Sequence, residues 1–215
     1  DYSSGKFSAV GVAGLSNIKY TYINHFREVN GAELTAETPS ITGSQFKGGV
    51  NYNVNQDVNV YGNAGYVSKV PIFDNVMNDR TGVQVLDPQN EKFMDIEAGL
   101  NFRALDNKLH VKTGAYYTTW RDRSNTIGVT NEDGSEGLIS LTGLDLTHSG
   151  LELESAFQPN RYIRIDANAS IGNWVYTDNA TGTYKDYDSG GDADVTQTLY
   201  VKDLKVGDAP QSQLM

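Results

Sequence analysis

The sequence predicts an all-β fold in which antiparallel strands follow one another as an up-and-down meander. Apolar and polar residues alternate strictly along several segments, and no segment shows the period of an amphipathic helix. Tight turns and long polar connections follow each other along the chain. The composition agrees, because 22 glycines and 13 tyrosines favour strands and turns over helices.

The first alternating segment starts at Phe7. Its apolar residues keep a period of two up to Leu15 and then change phase toward Phe26, which predicts a bulge or a strand that continues beyond a membrane surface. The next element is a hairpin that pairs Phe46–Val54 with Val58–Tyr66. At about 3.3 Å per residue and a tilt near 40°, each arm climbs roughly 23 Å, close to the ~25 Å apolar band of membrane barrels.

Two later hairpins show the same alternation. The second runs from Glu91 to Trp120 with its turn near Asp106. The third runs from Leu151 to Ile171, and we expect its turn at Gln158–Arg161. One more strand is expected at Leu199–Val206, which brings the meander to about eight strands.

The connections distinguish the two ends of the meander. Long polar segments lie roughly at 67–90, 121–147 and 177–196, on the side opposite to the tight turns. Outer-membrane barrels have this asymmetry, with short periplasmic turns and long extracellular loops. A soluble β-sandwich, whose apolar face packs on a second sheet, is the alternative that alternation leaves open.

Charge and composition restrict the function classes. The net charge of −10 provides no basic surface for phosphates, so nucleic acid is not an expected partner. The absence of cysteine excludes disulfides, thiol nucleophiles and thiolate metal sites. No catalytic motif or cofactor fingerprint occurs, so we expect neither an enzyme nor a cofactor.

The polar face of the sheet carries too many charges for a dry core, because unpaired buried charges are very costly. We therefore expect this face to meet water or a polar filling and the apolar face to meet lipid. The residues predicted to face the lumen of a barrel are Asn51, Asn53, Asn63, Glu97, Asn101, Arg103 and Arg164.

Aromatic and charged residues near the long-loop end are candidates for binding a substrate: Phe73, Trp120, Arg121 and Trp174. The alternative role of the tryptophans, and the one favoured at this point, is to anchor strands at the membrane interface.

Metal sites are weakly indicated. Asp186, Asp188, Asp192 and Asp194 lie around glycines, a composition that suits Ca²⁺, although the spacing is not that of an EF-hand and a solvated acidic loop is the simpler explanation. The histidines, His25, His110 and His148, lack zinc-like spacing.

Several short passages, in their order and spacing, resemble the TonB-dependent outer-membrane receptors, and those of Bacteroidetes-type bacteria most of all. Tyr66–Asn75 resembles a strand that runs into a Ser-x-x-Pro-x-Phe stretch, and Pro88–Gly99 resembles the family's passage from a loop into the next strand. The further passages that resemble later barrel segments are Trp120–Arg123, Gly150–Glu154, Ala169–Trp174 and Leu204–Ala209.

The resemblance implies a barrel of about 22 strands with a plugged lumen in the bacterial outer membrane. It also implies active uptake of a scarce ligand: a ferric siderophore, cobalamin or an oligosaccharide. Residues 1–215 would then be a partial barrel domain without the plug domain and the final strands. The implied partners are outer-membrane lipid, the plug of the same parent chain, the TonB complex through the missing N-terminal part, the cargo and, in some receptors, a surface lipoprotein.

Two other interpretations stay open. A small self-contained outer-membrane barrel could close with eight strands, although its interior would have to pack more tightly than this charged face suggests. A soluble extracellular β-sandwich could bind sugars through Trp120 or Trp174.

Overall fold

The computed structural model describes residues 1–77, 82, 84, 88–130, 136–185, 194–207 and 210–215. These residues form β-strands and a single 3₁₀ turn at Phe73–Asn75. Within them, no helix has the length and apolar character needed to cross a membrane. The strands are β1 (Tyr2–Ser4), β2 (Phe7–Ile18), β3 (Thr21–Val29), β4 (Ala32–Glu37), β5 (Ile41–Asn53), β6 (Val58–Lys69), β7 (Glu91–Ala104), β8 (Leu109–Arg121), β9 (Asn125–Thr130), β10 (Glu136–Thr142), β11 (Leu146–Asn160), β12 (Ile163–Tyr176), β13 (Ala180–Lys185), β14 (Asp194–Leu199) and β15 (Ser212–Leu214).

One nine-stranded sheet dominates the fold, in the order β1-β2-β5-β6-β7-β8-β11-β12-β15. All neighbouring strands in it are antiparallel, so the predicted all-β meander is confirmed. Seven of the strands are long, with 12 to 15 residues each, and the two at the edges have 3 residues each.

Tight turns join the long strands at one end of the sheet. In the first, the side chain of Asn55 accepts hydrogen bonds from the backbone N–H groups of Asp57 and Val58, both at 2.8 Å. In the second, Leu105, Asp106 and Asn107 all have positive φ, a conformation that short polar residues tolerate best.

The third turn differs from the expectation at Gln158–Arg161. Strand β11 continues to Asn160, and the turn residues are Arg161 and Tyr162. The pairing register shifts between Phe157 and Asn160, because Pro159 lacks the N–H that a regular ladder needs.

The long connections contain strands that alternation did not reveal. The segment expected to run as one strand from Phe7 to Phe26 is divided between β2 and β3, and β3 pairs with β4 in a hairpin of its own. Strands β9 and β10 come from the connection after β8, and β13 and β14 come from the one after β12. Pairing of β10 with β13 joins these two connections into a four-stranded sheet.

The strand expected at Leu199–Val206 does not form. Strand β14 ends at Leu199, and Asp203 has a positive φ of 65°, which interrupts an extended backbone. The segment still hydrogen-bonds to the free edge of β12, although it forms no regular ladder. Val206 N donates to Trp174 O at 3.0 Å, and Leu204 O accepts from Tyr176 N at 3.0 Å.

The buried apolar residues lie mainly above the sheet, not on it. In the described residues they include Val70, Val76 and Met77, which follow β6, and a packed cluster of Leu141, Leu144 and Ala180. By contrast, the apolar face of the long strands is uncovered. The exposed fractions of its side chains include Leu15 81%, Ile171 69%, Leu151 62%, Phe46 55% and Ile165 55%.

The polar face is held by tyrosines that lie over glycines of neighbouring strands. A Cβ on Gly99 would collide with the ring of Tyr61, and a Cβ on Gly150 would come within 2.6 Å of Tyr116 Oη. Glycine is therefore required at these positions, because any side chain would push the ring off the sheet.

Replacing Gly150 by alanine should destabilise the sheet by about 1–3 kcal/mol, the usual cost of overpacking. The new Cβ would also lie 2.7 Å from the carbonyl oxygen of Ile171, which is backbone and moves only with its strand. The measurement is urea unfolding of the protein. Gly65→Ala is the matched control on the same face, since its nearest atom is 3.6 Å away, and equal effects of both substitutions would contradict the packing argument.

Candidate binding site at the loop end of the sheet

The seven residues predicted to face a lumen all lie on the polar face of the sheet. Glu97 accepts a hydrogen bond from Tyr61 Oη at 2.8 Å and a longer one from Asn63 at 3.4 Å. Asn59 accepts from Asn101 and donates to Asn53, both at 2.9 Å. These contacts join side chains of adjacent strands into a connected polar layer.

Near the turn end of the sheet, charged side chains on the polar face form ion pairs. Arg164 and Asp166 lie two residues apart on β12 and form an ion pair at 2.8 Å. Lys112 and Glu154 occupy directly opposite positions on β8 and β11, with 3.9 Å between their charged atoms. These exposed pairs contribute little stability, but they show that the face is suited to water or polar groups.

The two tryptophans lie on this polar face, at the loop end of their strands. Trp120 precedes the last residue of β8, and Trp174 lies near the end of β12. Residues of one strand alternate between faces, so Trp120 shares its face with Lys112, and Trp174 shares its face with Asp166. An interfacial anchor would lie on the apolar face, so the position of both rings on the polar face argues against contact with lipid headgroups.

Two ring pairs on four adjacent strands make up what we call the rim cluster: Phe93 with Trp120, and His148 with Trp174. The ring centroids of Phe93 and Trp120 are 4.4 Å apart, and those of His148 and Trp174 are 4.9 Å apart. The indole N–H of Trp174 donates to Tyr116 Oη at 2.8 Å, which connects the rim cluster to the tyrosine–glycine packing below it.

Arg123 lies over one ring of the rim cluster, that of Trp120. Its Cζ lies 4.6 Å from the centroid of the Trp120 ring, within the range of a cation–π contact. The nearby carboxylates are engaged elsewhere. Asp122 pairs with Lys92 at 2.7 Å, and Asp145 accepts from the backbone N–H of Asp122 at 2.8 Å.

Two ring nitrogens of the rim cluster are shielded from water and have no hydrogen-bond partner among the described residues: Trp120 Nε1 and His148 Nε2. Buried polar groups are nearly always paired, so two unpaired ring nitrogens in one cluster require an explanation.

The other two candidate residues lie elsewhere. Arg121 follows Trp120 on β8 and therefore points to the opposite face, where its direct cross-strand neighbour is Lys92. Phe73 lies in the 3₁₀ turn and packs against Tyr20 and Tyr22, with ring centroids 5.8 Å and 6.5 Å away. The structure thus places Trp120 and Trp174 on the same face of the sheet near its loop end, but not Arg121 or Phe73.

Sequence reasoning missed Phe93, Arg123 and His148 as members of this site. Phe93 lies directly opposite Trp120, and His148 lies directly opposite Trp174. Alternation assigns each residue to a face, but only the pairing register of the β7–β8 and β11–β12 hairpins shows which rings are neighbours.

The calcium candidate lies largely outside the described residues, namely at Asp186, Asp188 and Asp192. Asp194 begins β14. In the part of the chain that the structure describes, no group of three or more His, Cys, Asp or Glu is arranged to hold a metal ion.

Known proteins resemble this chain in structure. No protein-family model and no curated protein matches it in sequence. The copper transporter OprC is similar over 86% of this chain and 31% of its own, with a TM-score of 0.62 and 14% identity. The ferric-catecholate import receptor Fiu from K12 E. coli is similar over 86% of this chain and 30% of its own, with a TM-score of 0.54 and 16% identity.

The chain has the fold of a barrel segment of TonB-dependent receptors. At these identities the likeness shows the fold alone. The chain spans about three tenths of the length of either transporter.

Replacing Tyr116 by phenylalanine should lower the free energy of unfolding by about 1–2 kcal/mol, because the Trp174 N–H would lose its acceptor. The measurement is urea unfolding of the protein, followed by tryptophan fluorescence. Tyr117→Phe is the matched control, because Tyr117 is the next residue, lies on the opposite face and is 46% exposed. Equal losses in the two variants would contradict this role for the Tyr116 hydroxyl.

Proposed function

We propose that the chain is a segment of an outer-membrane receptor that takes up a scarce ligand actively, in the manner of TonB-dependent transporters. The carrying observation is the two-faced sheet, in which long antiparallel strands have an uncovered apolar face opposite a hydrogen-bonded polar face. The structural likeness to a copper transporter and a ferric-catecholate import receptor supports the proposal.

Strand length supports lipid as the partner of the apolar face. Strands of 12 to 15 residues rise about 40–50 Å, or roughly 30–38 Å when tilted by about 40°, which exceeds the ~25 Å apolar band of a barrel. The excess lies at the loop end, where the rim cluster and the connections follow.

The alternative folds receive less support. A β-sandwich needs a second sheet against the apolar face, and the smaller sheets in the described residues are formed by connections at the loop end. A small closed barrel needs its first and last strands to pair, whereas here β2 is flanked by β1 and β12 by β15. An open sheet of this kind is suited to a larger barrel.

The polar face would then line the lumen, where it would contact the plug domain of the parent chain or the path of the cargo. Its amides and paired charges offer both donors and acceptors to such a partner, as a wet interface requires. The cargo would be a ferric siderophore, cobalamin or an oligosaccharide, and the sequence passages favour a receptor of Bacteroidetes type.

Spin labels on the two opposite faces of the sheet test the membrane location. The chain contains no cysteine, so Ile96→Cys and Asn63→Cys each add one labelling site to it. In the full-length protein in bilayers, the label at Ile96 should be more accessible to oxygen, which concentrates in lipid, and the label at Asn63 to a water-soluble nickel chelate. Low accessibility of the Ile96 label to both reagents would indicate a covered apolar face and a soluble fold.

Uptake by cells tests the transport proposal. A strain without the full-length gene should lose energy-dependent accumulation of one of three supplied nutrients: a ferric siderophore, cobalamin or an oligosaccharide. The gene should restore accumulation, and a protonophore should abolish it while surface binding persists. Unchanged accumulation of all three nutrients would contradict the proposal.

A further inference from the structure

Charged residues are distributed unequally between the two faces of the sheet. In the seven long strands, all of which the structure describes, the polar face carries charged residues of both signs. The apolar face of these strands carries only two charged residues, Lys92 and Arg121. Both lie at the loop end, Lys92 as the second residue of β7 and Arg121 as the last residue of β8. Within these strands, every charge on the apolar face is therefore positive.

Lys92 and Arg121, which we call the basic pair, occupy directly opposite positions on adjacent strands. The Cβ atoms of such residues are about 4.5–5.5 Å apart, and like charges in this arrangement destabilise a sheet. Ser68 lies directly opposite Lys92 on the other side, so the basic pair also has a hydroxyl group beside it. An anion bound here would relieve the repulsion between the two cations.

The neighbouring carboxylates neutralise only one member of the basic pair. Lys92 Nζ lies 2.7 Å from Asp122 Oδ2, and Asp145 accepts from the backbone N–H of Asp122 at 2.8 Å. Arg121 is exposed and forms no ion pair with a carboxylate that the structure describes. Its guanidinium is therefore free to bind a group from outside the sheet.

The rows of the apolar face below the basic pair change from amphipathic to apolar. The next row contains Tyr66 directly opposite Met94, and the row after it contains Ile96 directly opposite Tyr117. All four side chains are exposed, at 40%, 41%, 50% and 46%. Tyrosine is enriched at the level of lipid headgroups, and apolar side chains below it contact acyl chains. This order of groups matches a lipid with an anionic headgroup.

We propose that the basic pair binds the phosphate of a membrane lipid whose acyl chains lie along Met94 and Ile96. The Arg121 guanidinium presents its donors in a planar fork that fits phosphate oxygens, and the Lys92 ammonium adds a second cation. A lipid is the occupant because the basic pair lies at the end of an uncovered apolar surface. The inference rests on the proposed function, since it requires that the apolar face lie in a membrane.

Native mass spectrometry of the protein in a neutral detergent tests this site with two lipids that have the same acyl chains. Dioleoylphosphatidylglycerol is anionic, whereas the choline of dioleoylphosphatidylcholine cancels the charge of the same phosphodiester. We expect the first molecule of the anionic lipid to bind at least about fivefold more tightly, which is the usual contribution of one basic residue near an anionic lipid surface.

Substitutions assign this difference to the basic pair. Arg121→Gln should weaken binding of the anionic lipid about fivefold and leave the zwitterionic lipid unchanged, whereas Arg121→Lys should keep most of the preference. Lys47→Gln is the matched control and should change neither affinity. Lys47 is also exposed and without an ion pair in the described residues, but it lies on the polar face.

Three results would overturn the inference: equal binding of the two lipids, equal effects of Arg121→Gln and Lys47→Gln, or displacement of the anionic lipid by millimolar glycerol 3-phosphate. The last compound has a phosphate but no acyl chain, so displacement would indicate a site for a soluble anion. Each variant is first shown to keep the urea unfolding midpoint of the parent protein, and Lys92→Gln replaces Arg121→Gln if that variant does not fold.

The spin-label experiment separates failure of this inference from failure of the proposed function. Equal binding of the two lipids, together with a label at Ile96 that is exposed to lipid, would overturn the headgroup site and leave the barrel proposal intact. Low accessibility of that label to both reagents would instead contradict the barrel proposal, and the lipid site with it.

Discussion

The antiparallel hydrogen-bond ladder from β2 to β12 is the constraint on which the rest of the structure depends. Because successive residues of a strand point to opposite faces, the ladder assigns every side chain of the long strands to one of two environments. A slip of one residue would place Ile96 among the polar groups and Glu97 among the apolar ones. The pairing register therefore determines which side chains form the polar layer, the apolar face and the rim cluster.

A sheet with an uncovered apolar face needs stabilisation from its other face. Tyrosines that lie over glycines provide part of it, because Tyr61 and Tyr116 fill the space left by Gly99 and Gly150 and bridge adjacent strands. Their hydroxyls then enter the polar layer, through Glu97 in one case and Trp174 in the other. Tyr61 and Tyr116 thus pack against the sheet, and Tyr116 also connects the sheet to the candidate site.

The alternation of residues was sufficient to predict the long strands, the position of the first two turns and the face of every predicted lumenal residue. It failed where local geometry outweighs periodicity, as at Pro159, where the ladder shifts register, and at Asp203, where a positive φ prevents the last expected strand. It also missed the strands within the connections, because β10 and β13 are stabilised by pairing with each other across the sequence. The candidate site was only half predicted, since Phe93 and His148 become neighbours of the tryptophans through register alone.

Packed side chains join the small sheet at the loop end to the strand that carries Trp120. Leu146 lies directly opposite both Trp120 and Tyr176, and it is almost completely buried, at 2% exposure. Tyr176 in turn packs against the apolar group of Leu141, Leu144 and Ala180, which supports the pairing of β10 with β13. Leu146 and Tyr176 are therefore part of a packed connection between that four-stranded sheet and the strand that carries Trp120. Closely packed side chains transmit displacements because they leave little free volume to absorb them.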